Sequence, residues 1–167
     1  FRRVLFRSYK SNRRLRFPDL FILVGRGAGK NGYLSFEDCC LISQYNQVKY
    51  YHIDICANNE EQAKTSFDDV YNVLEENEKK LSKHFEWNKE IIMNKKTKSK
   101  LRFWTSNAKT KDGGRPGKID CDEYHAYEDY KAINVFTTGL GKKRNPRKTI
   151  TTTNGDVRSE EHTSELQ

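Results

Sequence analysis

The run Phe21–Asn31, FILVGRGAGKN, constrains this chain more than any other stretch. Four apolar residues lead straight into a glycine-rich turn that ends in Gly29-Lys30. A buried strand, a loop of small residues and a lysine heading a helix together cradle a nucleoside triphosphate. Backbone N–H groups of the loop and the positive helix end face the phosphates, and the lysine reaches the outer ones. The candidate phosphate loop is Gly25, Arg26, Gly27, Ala28, Gly29, Lys30 and Asn31. It departs from the usual pattern at both ends. Val24 stands where an opening glycine is normal, and Asn31 where Ser or Thr normally follows the lysine.

Both chain ends have to be set aside before the middle is read. The C-terminal RSEEHTSELQ can be encoded by AGA-TCG-GAA-GAG-CAC-ACG-TCT-GAA-CTC-CAG. The reverse complement of all but the last two codons reads FRRVLFRS, which is Phe1–Ser8. One DNA word read on opposite strands accounts for both ends, and it looks like a sequencing adapter. Residues 1–8 and 158–167 are therefore expected to be adapter-derived, although Ser8 and Arg158 agree with either origin. The biological part is Tyr9–Val157, expected to be an open piece of a longer gene.

That part is long enough for one domain with a real core. Setting the ends aside moves the formal charge of +8 only to about +7, so the basic balance is native and favours an anionic partner. No apolar run approaches membrane-spanning length. The four cysteines, Cys39, Cys40, Cys56 and Cys121, show no CxxC spacing and read as reduced packing thiols.

Strand and helix signals alternate. Phe21–Val24 reads as a buried strand and Gly32 to about Ile42 as the helix after the loop. Tyr50–Ala57 is a second β-rich run. Asn59 with Gln62 three residues on is a capping-box pattern. Ala63, Phe67, Val70, Leu74 and Leu81 then recur at helical spacing. Glu90–Met93 and Lys100–Thr105 read as hairpin arms around the polar turn Asn94–Ser99. Asp112–Gly117 is a loop, Lys118–Asp122 a short strand, Glu128–Leu140 a helix, and Lys148–Thr153 a last β-branched strand. The alternation predicts an α/β fold, a mostly parallel sheet covered by helices on both faces.

A phosphate loop becomes an ATPase when an acidic strand end lies beside it. Ile119-Asp120-Cys121-Asp122-Glu123 supplies one. In such pairs the first acid, here Asp122, helps hold Mg²⁺, directly or through water. The second, here Glu123, polarises the attacking water.

Four segments in order, GRGAGKNG, CANNEEQAK, SNAKTKDGGRPGKIDCDEYHAYED and TITTTNGD, resemble the ATPase half of a tailed-phage terminase large subunit. The resemblance covers essentially all of Tyr9–Val157. It implies a P-loop NTPase fold, truncated here at the C-terminus, and an ATP-driven motor that pushes double-stranded viral DNA into an empty procapsid. It also implies ATP and Mg²⁺ as cofactors, and as partners a portal protein, a small terminase subunit and further copies in a ring, in the cytoplasm of an infected bacterium. No membrane is involved. The family's nuclease half lies outside this stretch. Alone, such a piece is expected to bind ATP weakly and hydrolyse little.

Residue by residue, Lys30 resembles the family's phosphate-binding lysine, and Arg26 the arginine near the loop's start that senses or stabilises the γ-phosphate. A guanidinium suits spread phosphoryl charge. Asn31 replaces the usual hydroxyl ligand, and its amide oxygen can reach the metal directly or through water. Thr151, Thr152, Thr153, Asn154 and Gly155 resemble the coupling motif. His125 is placed to orient Glu123 or water, or to serve the local fold. For DNA, two basic runs stand out: Lys95, Lys96 and Lys98, beside Lys100, Arg102 and two aromatics, and Lys142, Lys143 and Arg144. Sequence-neutral translocation calls for phosphate contacts of this kind. Two other readings share the motifs: a helicase-like nucleic-acid ATPase, and a nucleotide-binding interaction module in which Asn31 marks lost hydrolysis.

Overall fold

A computed structural model of the chain describes residues 9–12, 14–105, 115–127, 133–134 and 137–153. Its strands are β1 (Asp19–Val24), β2 (Ile53–Ala57), β3 (Phe85–Trp87), β4 (Ile91–Asn94), β5 (Lys100–Thr105), β6 (Lys118–Cys121) and β7 (Arg147–Thr153). The helices are α1 (Lys30–Ile42), α2 (Glu60–Glu76) and α3 (Glu78–Leu81). All the strands join one sheet in the order β1-β7-β6-β2-β5-β4-β3. The first five in that order run parallel, and β4 and β3 are added antiparallel at one edge.

Parallel strands need helical crossovers, and those helices bury both sheet faces. On one face α1 and α2 pack over Ile53, Ile55 and Leu101 through Leu41, Ile42, Phe67, Val70 and Leu74. These side chains are almost wholly buried; each contributes roughly 1.5–3 kcal/mol relative to exposure. The other face gathers Cys56, Ile119 and Cys121 against Ile133. Both buried cysteines are free thiols, as the lack of paired spacing implied. β1, expected to be buried, is not: it has β7 on one side and no second neighbour among the described residues, and its Phe21 and Leu23 are more than half exposed.

Half of the capping box forms at the start of α2: Asn59 Oδ1 accepts the Gln62 N–H at 2.9 Å, but Gln62 Oε1 accepts no hydrogen bond in return among the described residues. The apolar spacing to Leu81 is interrupted, however. Asn77 leaves helical geometry, its side chain bonds back to Val73 O, and α3 starts anew after it. The hairpin is also present, with Ile92 opposite Leu101, and its turn begins at Asn94, whose Oδ1 accepts two backbone N–H groups. The second strand is shorter than its β-rich sequence. Tyr50 adopts φ 57, which no strand residue does, so pairing starts at Ile53. β3, too short to show period-two alternation, was not legible. Most of the expected helix Glu128–Leu140, and the adapter-like ends, lie outside the described residues.

Candidate active site

The loop after β1 is shaped by two left-handed residues, Gly27 (φ 78) and Gly29 (φ 80), where any side chain would be strained. Ala28 N–H closes the turn on Gly25 O at 3.2 Å. α1 then begins at Lys30 with no side chain capping it. Its first N–H groups lack intrahelical acceptors by construction of the α-helix, so they point into the concavity of the loop as an anion site.

Parallel alignment brings the C-terminal end of β6 to the same edge of the sheet, two strands from β1 with β7 between. Asp122 and Glu123 follow at once. Asp122 is buried and fixed by its N–H to Cys56 O at 2.9 Å. Glu123 sits at φ 49, ψ 53, a left-handed conformation that costs a non-glycine residue about 1–3 kcal/mol. That turn aims its carboxylate at the loop.

Lys30 joins the two halves. Its Nζ lies 2.8 Å from Asp122 Oδ1, 2.6 Å from Glu123 Oε1 and 2.9 Å from Asn31 Oδ1. Burial works to lower its pKa, but hydrogen bonds to Asp122 and Glu123 outweigh it and hold the ammonium above its ordinary range. β7 reaches the same point. Thr151 donates to Asp122 Oδ1 at 2.5 Å and Thr153 to Glu123 Oε2 at 3.3 Å. His125 Nδ1 lies 2.9 Å from Thr152 Oγ1 and 3.4 Å from Glu123 Oε2.

Beneath this layer lies a buried charge cluster that sequence reasoning missed. Lys118 on β6 is wholly buried, with Nζ 2.9 Å from Glu37, 2.5 Å from Asp38 and 2.8 Å from Asp120. Glu37 and Asp38 belong to α1, so one ammonium pins the helix that carries Lys30 to the strand that leads into Asp122. Burial pushes the Asp38 and Asp120 carboxyls up. Both carboxyls gather on the one ammonium, and Asp38 Oδ2 and Asp120 Oδ2 are buried without a hydrogen-bond partner among the described residues. Burial alone would lower the Lys118 pKa, but the three acids raise it well above the ordinary value. A legible signal did exist: Glu37 and Asp38 fall on the buried stripe of α1 with Leu34 and Leu41, where charge is tolerated only if paired.

Of the residues expected from sequence, the structure brings together Lys30, Asn31, Asp122, Glu123, Thr151, Thr152 and Thr153, with His125 beside them. Arg26 is exposed in the loop. Asn154 and Gly155 lie outside the described residues. The two basic runs are at the other end of the sheet, before β5 and before β7.

Among the described residues no group of three or more His, Cys, Asp or Glu forms a metal cage. The donor set nonetheless fits Mg²⁺, which takes one or two carboxylates and completes its shell with water and phosphate oxygens. The Asp122 and Asn31 oxygens already converge on a cation, the Lys30 ammonium.

A phosphate loop, an acid pair on the strand two places away and a threonine-rich strand between them define a P-loop NTPase domain. A family model, "Terminase large subunit, ATPase domain", matches residues 3–167, and the chain belongs to that family. Its fold is similar to the large terminase of bacteriophage HK97 (TM-score 0.70, 19% identity, covering 81% of this chain and 29% of that one). It is also similar to the large terminase of a thermophilic bacteriophage (TM-score 0.66, 10% identity, 90% and 37%). A further structure of that thermophilic phage's terminase, in complex with ADP, matches with TM-score 0.56 at 12% identity, over 81% and 33%. The chain thus spans about a third of the length of these terminases. Among curated protein sequences none matches.

Proposed function

We propose that the chain is the ATP-hydrolysing motor part of a large terminase, which drives double-stranded viral DNA into a procapsid. The observation that carries this reading is the single ammonium, Lys30 Nζ, held between the phosphate loop and both acids, at 2.8 Å from Asp122 and 2.6 Å from Glu123. With ATP bound, Lys30 exchanges these contacts for the outer phosphates, and the loop N–H groups take the remaining phosphate oxygens. Its departure frees Asp122 and Asn31 as the residues that would hold Mg²⁺. The metal, when bound, neutralises charge on the phosphate oxygens. Glu123, released from Lys30, orients and polarises the attacking water. The ADP-bound terminase of the thermophilic phage supports ATP as the ligand class.

Thr151 and Thr153 touch the two acids directly, so β7 is placed to feel whether Asp122 and Glu123 face a lysine or a phosphate. That is the coupling role, proposed with Asn154 and Gly155 as its continuation. Double-stranded DNA, a portal protein, a small terminase subunit, a ring of copies and the host cytoplasm belong to the same proposal. It is tested by phosphate release from ATP with and without Mg²⁺. Turnover that needs Mg²⁺ supports hydrolysis; binding without turnover would leave a nucleotide-binding module.

Arg26 gives a sharper expectation. If its planar fork grips the γ-phosphate as charge develops, Arg26→Lys lowers turnover about as far as Arg26→Ala, because lysine offers one ammonium in place of two parallel N–H donors. Parallel rate measurements on the two variants decide it. Full activity in Arg26→Lys would reduce the residue to a generic positive charge.

A further inference from the structure

The two basic runs are far apart in sequence, yet the topology joins them. β1, β7, β6, β2 and β5 are parallel, so the segments entering all five emerge at one end of the sheet, opposite the Lys30 site. Backbone hydrogen bonds stitch these segments side by side in sheet order. Lys148 N–H donates to Pro18 O at 3.0 Å, Arg147 N–H to Gly117 O at 2.9 Å, Gly117 N–H to His52 O at 2.8 Å and Tyr50 N–H to Thr97 O at 2.8 Å. They form one continuous surface.

Its charge has one sign. The stretches 9–18, 43–52, 95–99, 115–117 and 138–146 contain no aspartate or glutamate. Each presents an exposed cation: Arg14, Lys49, Lys98, Arg115, and Lys142 with Arg144. Asp19, at the start of β1, is offset by Lys148 at 3.6 Å. The opposite end carries Glu60 and Glu61 opening α2 and Asp122 and Glu123 after β6, while the exposed acids at this end, Glu75, Glu76 and Glu78, belong to the end of α2 and the start of α3 and not to the five entering segments. The field reaches inward as well. Burial, together with Arg102, Lys143 and Lys100, pushes the His52 pKa down to about 4, against the pull of Asp54.

We infer that this basic end, assembled from the five segments that enter the parallel strands, is one sequence-neutral binding surface for the phosphate backbone of DNA. Five strands at about 4.8 Å spacing spread it over roughly 19 Å. Duplex DNA offers a charge every ~1.7 Å of axis, so several contacts form at once. Protein–protein interfaces are depleted in lysine, whereas this face is rich in it, and that favours nucleic acid over an acidic protein. Exposed Tyr45 and Tyr50 stand among the charges, and Lys143 Nζ lies 5.7 Å from the Tyr50 ring centre. Aromatic faces beside lysines accept bases or sugars without reading sequence. The two basic runs are thus parts of one track rather than competing sites. The choice of DNA rests on the motor reading; the charge geometry does not.

The test is binding of the full chain to a random-sequence duplex over a salt series, without nucleotide. Lys98→Gln with Arg144→Gln, one residue from each run, should lower affinity for all sequences alike and flatten the log–log salt slope by about 2. Lys64→Gln with Lys89→Gln, a half-buried cation paired to Glu60 and an exposed one, both outside the surface, should leave the slope unchanged. Both pairs are surface changes, and matched melting temperatures confirm folding. An unchanged slope in the first pair, or an equal loss in the second, overturns the proposal. So does displacement of the duplex by polyglutamate at equal charge concentration, which would assign the surface to an acidic protein. ATP binding is measured on the same samples. Its loss with the DNA slope intact sinks the motor reading and leaves this surface standing.

Discussion

In the complete protein, Glu123→Gln should lower ATP turnover about a hundred-fold or more while leaving ATP affinity within a few-fold of the parent. Losing one group that acts only in the transition state commonly costs a few kcal/mol. Glutamine keeps the size of the side chain and one oxygen for Thr153, which lies 3.3 Å from Oε2. It keeps the left-handed backbone too, so the strain at this position does not change. What it loses is the negative charge proposed to polarise the attacking water. Steady-state hydrolysis alongside equilibrium nucleotide binding separates the two effects. Near-parental turnover in Glu123→Gln would remove the residue from its role.

Lys118→Met should destabilise the fold by about 3–5 kcal/mol, the usual cost of leaving buried charge without its partner. Methionine matches the lysine stem but abandons Glu37, Asp38 and Asp120 together. Against a total stability of about 5–15 kcal/mol, such a loss unfolds a large share of molecules. Asp120→Asn should do the opposite at neutral pH. In the parent, burial raises the Asp38 and Asp120 carboxyls, so the folded chain releases their protons at higher pH than the unfolded chain, which releases them near about pH 4. Stability from those protons is complete below the ordinary carboxylate pKa and is lost as pH rises through the raised one. Asparagine is a permanent neutral partner, so the variant should lose less stability as pH rises above the ordinary carboxylate range. Denaturant melts of the three proteins over a pH series check both statements. A Lys118→Met protein as stable as the parent would deny the cluster its structural role.

The site was largely legible because its chemistry is local. Gly27, Gly29 and Lys30 declare a left-handed loop and a helix start within a few residues, and Asp122-Glu123 closes a short strand. Adjacency across the sheet was not legible. Nothing in the order of residues says that Thr151 donates to Asp122, because that depends on β7 lying between β1 and β6. The Lys118 cluster escaped for the same reason. A lysine opening a short strand shows no sign of burial until α1 supplies two acids above it. The basic runs were seen, but as separate hairpin and loop features. Parallel topology alone makes them one end of one sheet. Helix ends depended on single residues that composition hides. Asn77 stops α2 short of Leu81, and the left-handed Tyr50 delays β2 to Ile53.

The most direct measurement of the nucleotide site is the melting temperature of the parent and of Lys30→Ala as Mg²⁺-ATP is added. A ligand at a hundred times its dissociation constant stabilises the folded state by about 2.7 kcal/mol. Lys30 supplies the cation that bridges the loop and the acids, so a rise in the parent and none in Lys30→Ala at the same concentrations is the expected result. A parent unmoved by saturating Mg²⁺-ATP, or a Lys30→Ala protein that rises equally, would contradict it.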